Sequence, residues 1–401
     1  MKVAVVAEFY PRSGDPVLGV WAHRQALAAR DAGAEVRVVV LHRLVPPRAS
    51  LSQGPGGPAR ALLRLAGEPR KQTHEGLDVT YVRYVSPPRS RSYHAWGAWA
   101  APALGVALRR LRRSFQFDLI HAHNAVPPAD AVRRAHLDVP LVVSVHGGDV
   151  LYTAPRTQAG REAVERNLLS ATTVLANSHG IADLARHYGA LDTRVVHLGA
   201  DLPEPRGIGS RRDQRSPSLV TVGHLVARKR HADVLRALAV LAKRHPTLRY
   251  TIVGDGPERV ALEGLAARLR VAQRVDFLGQ LPPREAIEQA RTATLFAMPS
   301  TEEAFGVAYI EAMAAGVPAI GCRGEPGPEE IAAAGDGFVL VPPGDIERLT
   351  QRIDEFLSDP HRLREASIRA RETIATNFTW ERCGEQTLAA YKHALTGAES
   401  A

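Results

Sequence analysis

Two glutamates eight positions apart, Glu303 and Glu311, have the types and spacing to do chemistry. They stand in Ser300-Thr301-Glu302-Glu303-Ala304-Phe305-Gly306-Val307-Ala308-Tyr309-Ile310-Glu311-Ala312-Met313-Ala314-Ala315-Gly316-Val317-Pro318. Turn formers and a glycine open the segment, a helix-favouring stretch follows, and Gly-Val-Pro closes it. The pattern predicts Glu303 in a loop and Glu311 one to two turns into a helix. Backbone N–H groups gather at the helix start between them, where a phosphate or a sugar hydroxyl is readily held. Two carboxylates could equally be an acid–base couple. At this spacing they also suit the solvated face of an ordinary amphipathic helix.

The flanking segments decide where such a pair would sit. A strand-like run, Ala293–Ser300, precedes it and Val317–Gly321 follows, which makes a βαβ unit with the carboxylates at the C-terminal edge of a parallel sheet. Open α/β sheets bind ligands at that edge. Strand, loop and helix alternate elsewhere too. Val3–Ala7 leads through a loop rich in Gly and Pro to a helix from about Val20 to Ala32, then to a strand at Glu35–Leu41. Leu119–His123 and Leu141–His146 each read as strands ending in a His, and Thr173–Ser178 and Arg194–Gly199 complete a first set. Ser218–Gly223, Tyr250–Gly254 and Arg274–Gly279 open a second. Residues 44–76, with Pro-Pro, Gly-Pro-Gly-Gly-Pro and scattered Arg, read as a mobile surface excursion. The expected fold class is α/β, with two Rossmann-like domains facing each other across a cleft. The boundaries read as 1–202, an Arg-, Gly- and Pro-dotted linker 203–217, a second domain 218–376, and a last helix from 377 to 401.

Composition narrows the function classes. The chain has 401 residues, 45% apolar and 23% charged, which fits a globular protein of two domains. Its two cysteines, Cys322 and Cys383, offer neither a disulfide framework nor a metal cluster and suit a reducing cytosol. Met1–Ala7 lacks a long apolar region and a cleavage site, so it reads as a buried strand rather than a signal peptide. No run of 18 apolar residues occurs. The net charge is +9, and residues 1–200 carry 25 Lys and Arg against 15 Asp and Glu. That excess suits anionic partners such as nucleotide phosphates or a phospholipid surface. An Arg-rich composition also suits a GC-rich genome. No helix-turn-helix, zinc spacing or aromatic RNA-binding strand supports nucleic acid as a partner.

With these segments in place the chain resembles retaining glycosyltransferases of the GT-B fold, family 4 type, over nearly its whole length. Val222-Gly223-His224-Leu225-Val226-Ala227-Arg228-Lys229 is similar to the family's strand-to-loop segment in which an Arg and a Lys clamp the donor diphosphate. Lys229 falls on the Lys position and His224 on the usual Arg position, so Arg228 is a second candidate cation. Fixed cations stabilise the charge that develops as a nucleoside diphosphate departs. The resemblance places Gly254, in Val253–Glu258, and Leu278, in Leu278–Leu281, in donor binding, the latter lining the base pocket through main-chain atoms. It assigns Glu311 to the ribose hydroxyls and Glu303 to the sugar, with N–H groups of Ala304, Phe305 and Gly306 beside it. Gly19 sits in the loop that would approach the diphosphate or the acceptor, and His146 matches the active-site His near the donor sugar. His121, His123 and Asn124 would line the acceptor side. The segment Gly324–Glu330 matches a family pattern only loosely and gains no role.

These expectations amount to a metal-independent, retaining hexosyltransferase with no cofactor. Its donor would be a nucleoside-diphosphate sugar and its acceptor a glycan, a lipid-linked sugar or a small molecule. Glu303, His146 and Lys229 would be catalytic, and no metal ligands are expected. The other readings are a nucleotide-sugar 2-epimerase of the same fold and a non-catalytic donor-binding subunit. Tyr93–Trp99 leads into an apolar helix ending in Arg109, Arg110, Arg112 and Arg113. That mixture suits peripheral contact with the inner face of an anionic membrane, or an ordinary core helix with a charged end.

Overall fold

The computed structural model describes residues 1–46, 50, 54, 56–204 and 216–399. Two compact units form, one from Met1–His197 together with the last helix, the other from Leu198–Thr379. Most of the expected linker, 203–217, lies outside the described residues.

In the first unit eight strands form one sheet: β1 (Lys2–Ala7), β2 (Glu35–Arg43), β3 (Lys71–His74), β4 (Leu77–Tyr84), β5 (Leu119–His123), β6 (Leu141–Val145), β7 (Thr173–Ala176) and β8 (Thr193–Val195). Their order is β3-β4-β2-β1-β5-β6-β7-β8, parallel except for the β3/β4 hairpin. Val3–Ala7 and Leu141–Val145 are buried throughout, the continuous apolar pattern of a parallel sheet covered on both faces. Helix Val20–Asp31 packs Ala22, Ala26, Leu27 and Ala29 on one face, and Cys383, Ala390, Tyr391 and Ala394 of helix Trp380–Glu399 join the same core. Gln25 donates to Thr387 Oγ1 at 3.2 Å inside that interface, and Tyr391 Oη lies 2.7 Å from His121 Nδ1.

The second unit has six parallel strands: β9 (Ser218–Val222), β10 (Arg249–Val253), β11 (Val275–Gly279), β12 (Leu295–Ala297), β13 (Ala319–Cys322) and β14 (Phe338–Val341). Their order, β11-β10-β9-β12-β13-β14, is that of a dinucleotide-binding doubly wound sheet. Leu219, Tyr250 and Ile252 of the strands pack against Val234, Leu238 and Leu241 of helix His231–Leu241 and Ile353 and Phe356 of helix Ile346–Ser358. Both sheets therefore reverse direction beside their first strand, at β1/β5 and at β9/β12.

Two boundaries differ from the sequence reading. Residues 198–202 belong to the second unit, and so do 377–379, because Ala200 N–H donates to the Phe378 carbonyl at 2.9 Å and Ala200 pairs with Thr379. The last helix accordingly begins at Trp380. The stretch 44–76 also differs. Residues 47–49, 51–53 and 55 lie outside the described residues, but beyond them stand a helix, Gly57–Gly67, and β3. Carbonyls of that helix are held by the body: Leu65 by His42 Nε2 at 3.0 Å and Ala66 by Arg83 at 2.7 Å.

Candidate active site

At the β9/β12 reversal the second unit gathers its charged groups. β9 ends in Gly223 and an exposed His224, and the chain turns through Ala227–Lys229 into helix His231–Leu241. β12 ends in Met298-Pro299-Ser300 and the loop that carries Glu303. Lys229 Nζ meets Glu303 Oε2 at 2.5 Å, with only 12% and 10% of the two side chains exposed. Ser300 Oγ donates to the same oxygen at 2.9 Å and lies 2.9 Å from Tyr309 Oη, which itself donates to the Met298 carbonyl. Burial alone would raise the Glu303 carboxyl, but Lys229, with help from Arg228 and Ser300, holds it below its ordinary value. Glu303 is thus an ionised carboxylate fixed by two donors.

The loop is pinned from both sides. Thr301 N–H donates to the Arg228 carbonyl at 2.8 Å, and Glu303 N–H donates to Glu325 Oε2 at 2.8 Å. Glu302 between them takes a left-handed φ of 56°. Gly306 occupies the cap of helix Val307–Ala314, where no side chain caps the first turn, and Glu311 is the fifth residue of that helix, half-buried. Ala304 and Phe305 are buried, the Phe305 ring packing on Phe378 at 5.7 Å. The helix closes as its sequence predicts, with Gly316 N–H on the Met313 carbonyl and Val317 N–H on Ala312.

Gly254 ends β10 beside this group. It has φ 136°, and a Cβ there would stand 2.0 Å from the Gly223 carbonyl oxygen, so only glycine lets the two strand ends meet. Its N–H donates to the Gly279 carbonyl at 2.8 Å, next to the exposed Leu278. The structure therefore brings Lys229, Arg228 and Glu303 into direct or main-chain contact and aligns Gly254 and Leu278 along the same sheet edge. His224 makes no contact with Lys229 or Glu303 of the kind that joins those two.

The first unit holds the remaining predicted residues. Gly19 caps helix Val20–Asp31 with φ 66°, and a Cβ there would lie 2.1 Å from the Phe9 carbonyl carbon. His146 follows β6. Its Nε2 lies 3.0 Å from His123 Nδ1, the rings are stacked 5.2 Å apart, and its Nδ1 is buried with no hydrogen-bond partner among the described residues. Burial pushes the His146 imidazole down to about 4 and, with His146 beside it, His121 down to about 3. All are neutral at physiological pH. Asp149 accepts from Asn124 Nδ2 and from the N–H groups of Ala125 and Val126 at 3.0–3.1 Å, so it holds the loop after β5. Burial raises its carboxyl to about 6.

Several residues of these sites escape sequence reasoning. Ser300, Tyr309 and Glu325 carry the Glu303 loop, and Glu8, directly after β1, accepts from Tyr93 Oη at 2.7 Å. Burial raises the Glu8 carboxyl to about 7 against the pull of Arg89. Ser300 and Glu8 are marked in the sequence only by their place just beyond strand ends, Tyr309 only by its place in the helix after the Glu303 loop, and Glu325 only by the loose Gly324–Glu330 match. Of the aromatic–basic stretch, Trp99 is exposed and Tyr93 half-buried, whereas Trp96 is buried with Arg43 stacked 4.3 Å over its ring.

Comparison with known proteins bears on the family and the fold. The model described as "Glycosyltransferase Family 4" matches residues 18–204, and that described as "Glycosyl transferases group 1" matches 209–373. The D-inositol 3-phosphate glycosyltransferase of Nocardia farcinica is 32% identical over 305 residues, covering 70% of this chain and 67% of the relative. The chain belongs to the family 4 glycosyltransferases. A putative teichuronic acid biosynthesis glycosyltransferase of Bacillus subtilis, TuaC, is 26% identical over 400 residues, 94% of this chain and 95% of that one. Sucrose-phosphate synthase from Thermosynechococcus elongatus superposes with a TM-score of 0.78 at 22% identity over 99% of both chains. HepE of Anabaena, solved with UDP and glucose, gives 0.72 at 20% identity over 98% of this chain and 100% of that one. The two Rossmann-like units are those of the GT-B fold. Among the described residues no helix is long and apolar enough to cross a membrane.

Proposed function

We propose that this glycosyltransferase moves a hexose from a nucleoside-diphosphate sugar to a glycan, lipid-linked or small-molecule acceptor, with retention at the anomeric carbon and without a metal. The observation that carries the donor half is the buried Lys229–Glu303 pair at the β9/β12 reversal. Lys229, with Arg228 as a second cation, meets the diphosphate and stabilises the charge that develops as it leaves. Glu303, released from part of its hold on Lys229 when the diphosphate arrives, accepts from a hydroxyl of the sugar. Glu311 accepts from the ribose hydroxyls, which suits a carboxylate with two oxygens. Helix Val307–Ala314 presents its start to the donor. His146 is neutral, so it offers a hydrogen-bonding nitrogen rather than a charge. HepE's complexes with UDP and with UDP-glucose support a nucleotide sugar as donor.

The acceptor reading rests on the basic first half of the chain and on relatives of cell-envelope type such as TuaC. An action in the cytoplasm fits a nucleotide-sugar donor, and peripheral contact with the inner face of the membrane fits the basic first half of the chain. Incubation of the protein with a panel of nucleotide sugars tests the proposal: release of nucleoside diphosphate from at least one supports it. Free diphosphate with an epimerised sugar, formed without acceptor, overturns transfer in favour of epimerisation.

A further inference from the structure

The helix Gly57–Gly67 carries an apolar stripe that no described residue of its own unit covers. Of its eleven residues only Gly57 is buried. Pro58, Ala61 and Leu65, at spacings of three and four, turn partly toward the body. Ala59, Leu62, Leu63 and Ala66 repeat the same spacing on the outside, where Leu63 is 72% exposed and Leu62 42%. A single exposed leucine is unremarkable, but a solvated helix face ordinarily alternates Lys and Glu. This helix has no acidic residue. Arg60 and Arg64 lie on it and Arg70 follows, all exposed; Glu68, just past its end, is buried and accepts from Gly14 N–H at 2.8 Å.

Its position adds a second observation. His42 and Arg83, which hold the Leu65 and Ala66 carbonyls, are paired neighbours at the ends of β2 and β4. The helix therefore lies on the C-terminal edge of the first sheet, the edge at which such sheets take ligands. The arginine-rich helix Trp96–Ser114 runs the other way. Its Trp96 packs on Arg43 and Tyr84 at the strand ends, while Arg110 and Ser114 share a groove with Arg37 and Asp78 at the strand beginnings. Its arginines point away from the ligand edge.

We infer that helix Gly57–Gly67 docks the protein on an anionic lipid bilayer, its Leu62 and Leu63 entering the interface and Arg60, Arg64 and Arg70 meeting lipid phosphates. The inference rests on the reading above only in setting a lipid-linked acceptor at this edge. Charge complementarity selects the bilayer: an all-cationic rim around an apolar stripe matches acyl chains beneath anionic headgroups.

Co-sedimentation of the full chain with phosphatidylcholine vesicles, with and without phosphatidylglycerol, tests it. Binding should require phosphatidylglycerol and weaken with salt. L62S/L63S should lower vesicle affinity about tenfold or more, and R60Q/R64Q about fivefold per charge. The quadruple change to Gln at Arg109, Arg110, Arg112 and Arg113 should leave it unchanged. No sedimentation, unaltered binding by L62S/L63S, or loss confined to the quadruple variant would overturn the inference. So would a dimer–monomer change on L62S/L63S in the absence of lipid, which would make the stripe a self-association surface. Ala66→Cys labelled with an environment-sensitive dye gives a reading that spares the leucine pair, since Cys322 and Cys383 are buried. A blue shift on phosphatidylglycerol vesicles is expected, and its absence counts against docking. Vesicle binding without donor reads the surface, whereas diphosphate release without vesicles reads the chemistry, so either can fail alone.

Discussion

Lys229 and Glu303 should prove strongly coupled, and the structure sets the size. Their charged atoms are 2.5 Å apart and the side chains 12% and 10% exposed, so each shields the other from an otherwise unpaired burial. Removing one partner leaves the other stranded, at a cost on the order of 3 kcal/mol, whereas removing both can be close to neutral. Lys229→Met, Glu303→Gln and the double variant, unfolded in urea and followed by circular dichroism, complete a thermodynamic cycle. With each single variant costing about 3 kcal/mol and the double near neutral, the coupling should approach roughly 6 kcal/mol. The pH dependence gives an independent reading. In the wild type the Glu303 carboxyl is held below 4.5, so the stability it brings is present above that value and is lost as the pH falls through the folded one. In Lys229→Met the largest counter-charge is gone; Arg228 and Ser300 remain, burial outweighs them, and the carboxyl rises. Its contribution should then be present at low pH and be lost as the pH rises. Additive single variants, each costing under about 0.5 kcal/mol and with the wild-type pH slope, would refute a buried, coupled pair.

The other predictions concern division of labour. Glu311→Ala should weaken donor binding about tenfold with a smaller change in kcat, while Glu303→Ala should mainly lower kcat; equal, mild effects in steady-state assays would reduce the pair to a solvated face. Glu325→Ala should lower kcat while leaving the donor Kd within about twofold, and Glu325→Gln should restore much of it, because Gln still accepts from the Glu303 N–H. His146, held at about 4, should stay neutral at pH 6 in nitrogen-detected NMR. Its depressed value also means that stability present above about 6.5 is lost toward pH 4, by at most on the order of 3 kcal/mol.

Much of this architecture is written locally. Val3–Ala7 and most of Leu141–Val145 are legible because strands buried on both faces need near-continuous apolar runs, and Leu119–His123 is legible from its apolar start. The reading assigns no strand to β4, Leu77–Tyr84, although it alternates, because it directly follows a Gly- and Pro-rich stretch. Helix Gly57–Gly67 is obscured by the same flanking glycines and prolines. At the site, Lys229 and Glu303 are each legible as residues just past a strand, but their contact joins positions 74 apart and depends on β9 and β12 lying side by side. Ser300, Tyr309 and Glu325 act through that contact. Isolated polar residues near strand ends carry no pattern until the strands are paired.

The account turns on Lys229 as the group that holds a nucleoside diphosphate. Calorimetric titration of UDP and GDP into the wild type, Lys229→Met and His146→Ala tests this most directly. One diphosphate should bind the wild type, bind His146→Ala within a few-fold, and lose on the order of a hundredfold in affinity to Lys229→Met, as expected when a charge-assisted contact is removed. Unchanged affinity in Lys229→Met, or no diphosphate binding to the wild type at all, would contradict it.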